Sequence, residues 1–189
     1  MPLFKENTKR ERYLSEQELK ALCEAISQSQ NSMLEPIISM LILTGARKRE
    51  VLDARREDFD LARKSWRISN SKSGKARTIP LSEAALGILN RLPKIKGCPY
   101  VFANPTTKKP FVCIFNGWEG ARKRAGLEDL HVHDLRHSFA SFLINAGRSI
   151  YEVATLLGHS QIKTTMRYAH LADETLAEAV NTVPLGKVA

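Results

Sequence analysis

Residues 133–168 read HDLRHSFASFLINAGRSIYEVATLLGHSQIKTTMRY, and His133, Arg136, His159 and Tyr168 stand there among apolar positions that would otherwise only build a core. A guanidinium grips an oxyanion through paired N–H donors, and an imidazole can carry a proton near neutral pH. Two further cationic clusters lie upstream. In Ala46-Arg47-Lys48-Arg49-Glu50 the chain restarts just after Gly45, and a helix beginning there would present backbone amides and arginines together, which suits a phosphate. Glu50, three residues on from Arg47, can hold that guanidinium in place. Lys72, Lys75 and Arg77 sit at the tip of a hairpin pattern, where they either reach into a groove or rest in water.

The histidines could instead be metal ligands. His131, His133, His137 and His159 come without an HExxH helix, a CxxC pair or a carboxylate set beyond Asp134, and two arginines in the same site would repel a divalent cation. Activity that survives EDTA would set that reading aside.

These side chains need helix ends to hold them. Leu135, Phe139, Phe142 and Leu143 recur at helical spacing and predict one buried stripe, ended by Gly147. Val153, Leu156 and Leu157 predict a second, ended by Gly158, and Ser160 is placed to cap a third short helix carrying Thr164, Thr165 and Tyr168. Residues 150–168 also scan as a helix-turn-helix with Gly158 in the turn, a rival reading in which the chain only binds nucleic acid. Upstream, Ser15 and Glu18 form a capping box stapled by Leu14 and Leu19. Residues 33–44 are apolar nearly all round and predict a helix inside the core, stopped by Gly45. Trp66, Ile68, Thr78 and Ile79 flank Ser73-Gly74 as a hairpin that Pro80 ends, and Ser82 opens a helix through Leu86 and Leu89. Residues 92–110 read as an irregular connection in which 100–102 can form a short strand. Residues 112–125 read as a helix with Phe115 and Trp118 on its apolar side.

The composition sets outer bounds. With 189 residues, 43% hydrophobic and 26% charged, one globular domain is the expectation. The net charge of +9 and a pI near 9.6 favour a polyanionic partner. No apolar run is long enough for a membrane span, and Cys23, Cys98 and Cys113 lack metal-ligand spacing and read as reduced thiols.

The ordered set Thr-Gly-Ala-Arg47-x-x-Glu50, Ser71-Lys72-Ser73-Gly74-Lys75, His133-Asp-Leu-Arg136-His137, Leu157-Gly158-His159-Ser160 and Tyr168 resembles the tyrosine recombinases, or phage integrases, over residues 12–170. The resemblance implies a mainly helical α+β fold, a catalytic domain with a small antiparallel sheet or hairpin. It implies site-specific cleavage and rejoining of DNA through a 3′-phosphotyrosine on Tyr168, with Arg47 and Arg136 clamping the phosphate. His133 would take part in proton transfer, His159 would donate a hydrogen bond to the phosphate, and Lys72 would be the general acid, with Lys75 as its alternative. Arg49, Lys75 and Arg77 would bind phosphate or DNA, and Glu50 and His137 would support the site. No metal, ATP or other cofactor is implied. A type IB topoisomerase is the nearest chemical relative, and it would relax supercoils without exchanging strands.

The resemblance also implies an organisation. Residues 1–12 would be a linker from an N-terminal DNA-binding domain, residues 13–172 the catalytic domain, and residues 173–189 a tail helix docking in cis or in trans. The expected partner is double-stranded DNA carrying recombination sites, bound as a homotetramer with the isolated domain monomeric, and with accessory DNA-bending proteins. The expected location is cytoplasmic and DNA-associated, for a prokaryotic or phage-encoded protein, with no membrane association.

Overall fold

A computed structural model describes residues 12–69 and 76–172. Seven α-helices and a three-stranded sheet lie within them. Helix α1 (Glu16–Ser27) starts on the capping box: Ser15 Oγ accepts from the Glu18 amide, and the Glu18 carboxylate accepts from the Ser15 amide. Leu14 ahead of it is buried, and its amide donates to Ser138 Oγ at 2.8 Å, tying this N-terminal end to the helix that carries Arg136.

Helix α2 (Leu34–Thr44) is the centre of the molecule. Leu34, Ile37, Ile38, Met40, Leu41 and Ile42 are all buried, as a helix apolar on every side requires. Gly45 ends it in the left-handed region at φ 60°, where a Cβ would lie 2.3 Å from Phe139 Cδ1, so both the backbone and the packing exclude a side chain. The short helix α3 (Lys48–Leu52) follows. The sheet comes next, with β1 (Phe59–Asp60), β2 (Ser65–Ile68) and β3 (Arg77–Pro80) antiparallel in that order. Trp66 pairs with Ile79 across β2 and β3, both buried, and Phe59 stacks on the Trp66 ring at 5.1 Å. Pro80 closes β3 on an edge of the sheet, where its missing N–H costs no ladder bond. Helix α4 (Glu83–Arg91) is capped by Ser82 as its spacing predicts.

Residues 100–102 do not make a strand. Tyr100 forms only an isolated bridge to Arg55, while Val101 and Phe102 are buried in the core. Helix α5 (Phe115–Arg124) starts three residues later than its pattern suggested, and its buried side is Trp118 and Ala121; Phe115 is exposed.

Helices α6 (Asp134–Asn145) and α7 (Ile150–Leu157) end near Gly147 and at Gly158, as expected. On α6 the expected stripe holds only at Leu135: Ser138, Ala140, Ser141 and Ile144 are buried with it, while Phe139, Phe142 and Leu143 are only partly covered. The third helix expected after Ser160 is absent. Two 3₁₀ segments take its place, Ile162–Thr164 and Met166–Ala172, and no side chain caps the first. At three residues per turn, positions i, i+3 and i+6 eclipse. That period puts Thr165, Tyr168 and Leu171 on one side, where Thr165 and Tyr168 are buried and Leu171 packs on a small cluster of Ala140, Ile144, Val153, Leu157 and Tyr168. An α-helical period would rotate one of the three away. The same observation removes the helix-turn-helix reading, because no second α-helix follows Gly158 among the described residues. No helix among those residues is long and apolar enough to cross a membrane. The tail-helix expectation for 173–189 lies outside the described residues.

Candidate active site

The site is assembled from helix ends. Arg136, in the first turn of α6, is 5% exposed. Its Nη1 donates to the Gly45 carbonyl at 2.5 Å and its Nη2 to the Leu157 carbonyl at 2.6 Å. Carbonyls in the last turn of a helix have no partner inside it and carry the negative end of the helix dipole. One buried guanidinium therefore clips the C-terminal ends of α2 and α7 to the start of α6. Burial pulls the Arg136 pKa down to about 10, helped by the charges of Arg47 and Arg77, and it stays protonated at neutral pH.

Arg47 stands at the start of α3, two residues beyond Gly45. Its Nη1 donates to Glu50 Oε1 at 2.9 Å and its backbone amide to Glu50 Oε2 at 2.8 Å. The support expected of Glu50 is therefore present. At this corner the Glu50 carboxylate takes up the Arg47 amide.

Arg77 does not project from the hairpin as a phosphate ligand would. It heads β3 with its side chain 10% exposed, and its Nη1 and Nη2 donate to Glu50 Oε1 and Oε2 at 2.9 and 2.7 Å. The side chain lies against the Gly158 turn: a Cβ at Gly158, whose φ is 67°, would sit 2.4 Å from Arg77 Cδ. Gly158→Ala should therefore lose about 1–3 kcal/mol, from left-handed strain together with displacement of Arg77. A thermal melt within 1 °C of the parent would contradict this. Burial pushes the Glu50 carboxyl up, but its bonds to Arg77 and to the Arg47 amide and guanidinium outweigh that, and the group is held below its ordinary range. Arg49, the other expected phosphate ligand on α3, is exposed, with its guanidinium on Asp53 and on the Phe111 carbonyl. Lys72 and Lys75 lie outside the described residues.

His159 follows Gly158, and its Nδ1 is 2.8 Å from Thr165 Oγ1. Thr165 is fully buried, a supporting partner that the sequence spacing alone did not single out. Burial pushes the His159 pKa down to about 4, helped by Arg136, Arg47 and Arg77. Tyr168 is buried at 5% exposure, and its hydroxyl is hydrogen bonded to His137 Nδ1. Burial raises its pKa, against a smaller downward pull from Arg167 and Arg136. His137, and not His133, is thus the histidine in contact with the phenol. The rings of His133 and His137 meet edge to face with centroids 5.0 Å apart. Burial and Arg167 bring His137 to about 4; burial and Arg136 lower His133 as well.

These shifts predict a pH dependence with a definite sign. The ordinary imidazole value is 6.5, and His137 and His159 in the fold protonate only at about 4. The unfolded chain therefore binds more protons between those values, so their contribution to stability is complete above 6.5 and is lost progressively towards 4. The thermal midpoint should fall through that window, and more shallowly in His137→Gln/His159→Gln. Equal slopes for parent and variant would exclude the histidines as the cause.

Beside Arg47 and His133 an open groove of ≈ 1020 Å³ runs past Arg49, Arg55, Arg67 and Tyr100. Among the described residues, no group of three or more His, Cys, Asp or Glu side chains is placed to hold a metal ion. Cations, neutral imidazoles and one phenol are what this site offers a reactant.

The sequence profile of the phage integrase family matches residues 12–175. A tyrosine recombinase of Thermosipho africanus (strain TCF52B) is 32% identical over 174 residues, covering 89% of this chain and 60% of that protein. Among solved structures, the catalytic domain of bacteriophage HP1 integrase superposes with a TM-score of 0.72 at 32% identity, over 94% of this chain and 98% of that one. XerA recombinase superposes with a TM-score of 0.74 at 29% identity, over 93% of this chain and 66% of that one. This chain belongs to the phage integrase family, and its mainly helical fold with a small antiparallel sheet is that of an integrase catalytic domain. It spans 60% of the length of the Thermosipho recombinase.

Proposed function

We propose that this chain carries out site-specific DNA strand cleavage and rejoining through a covalent phosphotyrosine. The observation that carries the reading is the placing of Arg47, Arg136 and His159 at three helix ends that Arg136 itself joins, with Tyr168 following on the segment anchored to His159 through Thr165. A phosphodiester already bears a negative charge, so attack on it requires positive charge that grows more favourable as the pentacoordinate state forms. Arg47 has Nη2 and Nε unbonded among the described residues and supplies a forked contact. Arg136 adds its field from beneath, its two Nη atoms being engaged with carbonyls. The Thr165 hydroxyl donating to Nδ1 of the neutral His159 ring leaves Nε2–H as the donor to a non-bridging oxygen.

The Tyr168 oxygen attacks phosphorus, the bond to the leaving 5′ oxygen breaks, and the phenolic proton passes to a base. A lysine of the hairpin, Lys72 or Lys75, protonates the 5′ oxygen. Attack by a second strand's 5′ hydroxyl reverses each bond change, so the phosphodiester energy is conserved and neither ATP nor a metal enters the balance. In the state described here the phenol is buried on His137, so cleavage requires the 3₁₀ segment Met166–Ala172 to carry Tyr168 out of that contact. His133 then lies on the exposed side of the His133–His137 pair as the base for the released phenol. The basic charge of the chain suits double-stranded DNA, assembled as a homotetramer on its sites.

The test is a library of nicked duplexes with randomised cores, screened for protein–DNA adducts that survive denaturation in EDTA. Recovered sequences identify the site, and strand exchange between two such sites separates a recombinase from a relaxing enzyme. Relaxation with no exchange would contradict the reading.

A further inference from the structure

Three charged groups at the site form a unit that the proposed reaction leaves unexplained. Glu50 is almost completely buried and takes four donors: Arg47 N, Arg47 Nη1, Arg77 Nη1 and Arg77 Nη2, at 2.8, 2.9, 2.9 and 2.7 Å. Two oxygens offer about four lone-pair positions, so the carboxylate is saturated. Arg77 is nine-tenths buried, and its Nε is buried with no hydrogen-bond partner. Its aliphatic stem is walled in by the Gly158 turn. An arginine placed in this way is not available to a strand of DNA, since leaving the pair would abandon a buried carboxylate.

We infer that Arg77 is a positioning residue whose task is to cancel the charge of Glu50, so that Glu50 can orient Arg47 without neutralising it. The inference rests on the phosphate-handling role proposed for Arg47. An orienting carboxylate alone would leave the Arg47–Glu50 pair with no net charge, a poor partner for a phosphate whose negative charge builds during attack. With Arg77 on the far side of the same carboxylate the trio carries one net positive charge, and Arg47 is its exposed member at 27% against 10% for Arg77 and 5% for Glu50. Lysine would replace Arg77 only in part, because it keeps the charge but a single ammonium cannot fill both carboxylate oxygens with the forked geometry seen here.

Charge balance predicts a rescue that a purely structural role would not. In Arg77→Met the remaining pair is neutral; in Glu50→Gln/Arg77→Met the charge of Arg47 is restored, with a weaker orienting amide. The probe is monomeric orthovanadate, a tetrahedral analogue of the phosphate anion followed by ⁵¹V NMR, alongside the adduct rate on the selected nicked duplex. Arg77→Met should bind vanadate roughly tenfold to a hundredfold more weakly than the parent, the scale of one unit charge about 6–12 Å away at an effective dielectric near 20. Arg77→Lys keeps the charge but loses the fork and should bind between Arg77→Met and the parent, and the double variant should recover to within about threefold of the parent. Where Arg77→Met fails to fold, the double variant, which buries no unpaired charge, still decides: binding as weak as in Arg47→Ala overturns the inference. Parent-like binding in Arg77→Met, a double variant no better than Arg77→Met, or no vanadate binding by the parent overturns it as well. Vanadate binding is read without DNA, so an absent covalent adduct strikes the recombinase reading, whereas an absent rescue strikes this one.

Discussion

Arg136→Ala should abolish DNA cleavage and also weaken the fold, whereas Arg47→Ala should abolish cleavage and leave the fold nearly intact. The two arginines carry the same proposed charge role but occupy opposite structural positions. Arg136 is buried, with two N–H groups on the Gly45 and Leu157 carbonyls. Truncation would leave both acceptors unsatisfied and open a void between three helix ends, a loss of about 2–5 kcal/mol. For a chain of this size that corresponds to a fall of roughly 5–15 °C in the melting midpoint. Arg47 is 27% exposed in its side chain, and its partner Glu50 retains the two bonds from Arg77, so the stability loss there should stay near 1 kcal/mol or below. Both variants should lose more than about a hundredfold in adduct formation, the scale of a lost oxyanion donor. Arg136→Lys should not rescue, since one ammonium cannot span both carbonyls. Equal thermal stability of the two alanine variants would contradict the clip assigned to Arg136; near-normal cleavage in either would remove that residue from the phosphate site.

Much of this arrangement is legible in the chain itself. The capping box at Ser15 and Glu18, the stops at Gly45 and Gly158, the all-apolar α2 and the Trp66–Ile79 hairpin are local patterns, and each is found where its residues place it. Glu50 beside Arg47 is legible for the same reason, since three residues on a helix bring them into contact. What could not be read are pairings across the fold. Arg77 looks like one more cation on an exposed hairpin, and only the packing of β3 against α3 brings it to a carboxylate 27 residues away. His137 and Tyr168 are 31 residues apart, and the 3₁₀ period that turns Tyr168 inward depends on the Thr165–Tyr168–Leu171 side packing against α6 and α7. Periodicity assigned these residues to a third α-helix because it cannot weigh an i, i+3 stripe of three residues against that packing. The small buried residues of α6 misled in a similar way: Ser138 is deep because its hydroxyl serves the Leu14 amide and the Asp134 carbonyl, whereas the partly covered phenylalanines looked like the core.

On the proposed reaction, a site with its cations in place and the phenol of Tyr168 buried would wait for a partner before cleavage. The phenol is raised in pKa by burial and bound to a neutral imidazole, so it is neither ionised nor presented.

Tyr168→Phe offers the most direct measurement. It removes one oxygen, and with it the bond to His137, while keeping the ring in its cluster with Ala140, Ile144, Val153 and Leu157, so the fold should lose no more than about 1 kcal/mol. On the nicked duplex selected by the parent, the parent should accumulate a denaturation-resistant adduct whose digestion yields a peptide modified at Tyr168, in the presence of EDTA and without ATP. The Phe variant should bind the same duplex and form none. An equal yield of adduct from Tyr168→Phe, or a parent adduct mapped to Tyr13, Tyr100 or Tyr151, would contradict the account.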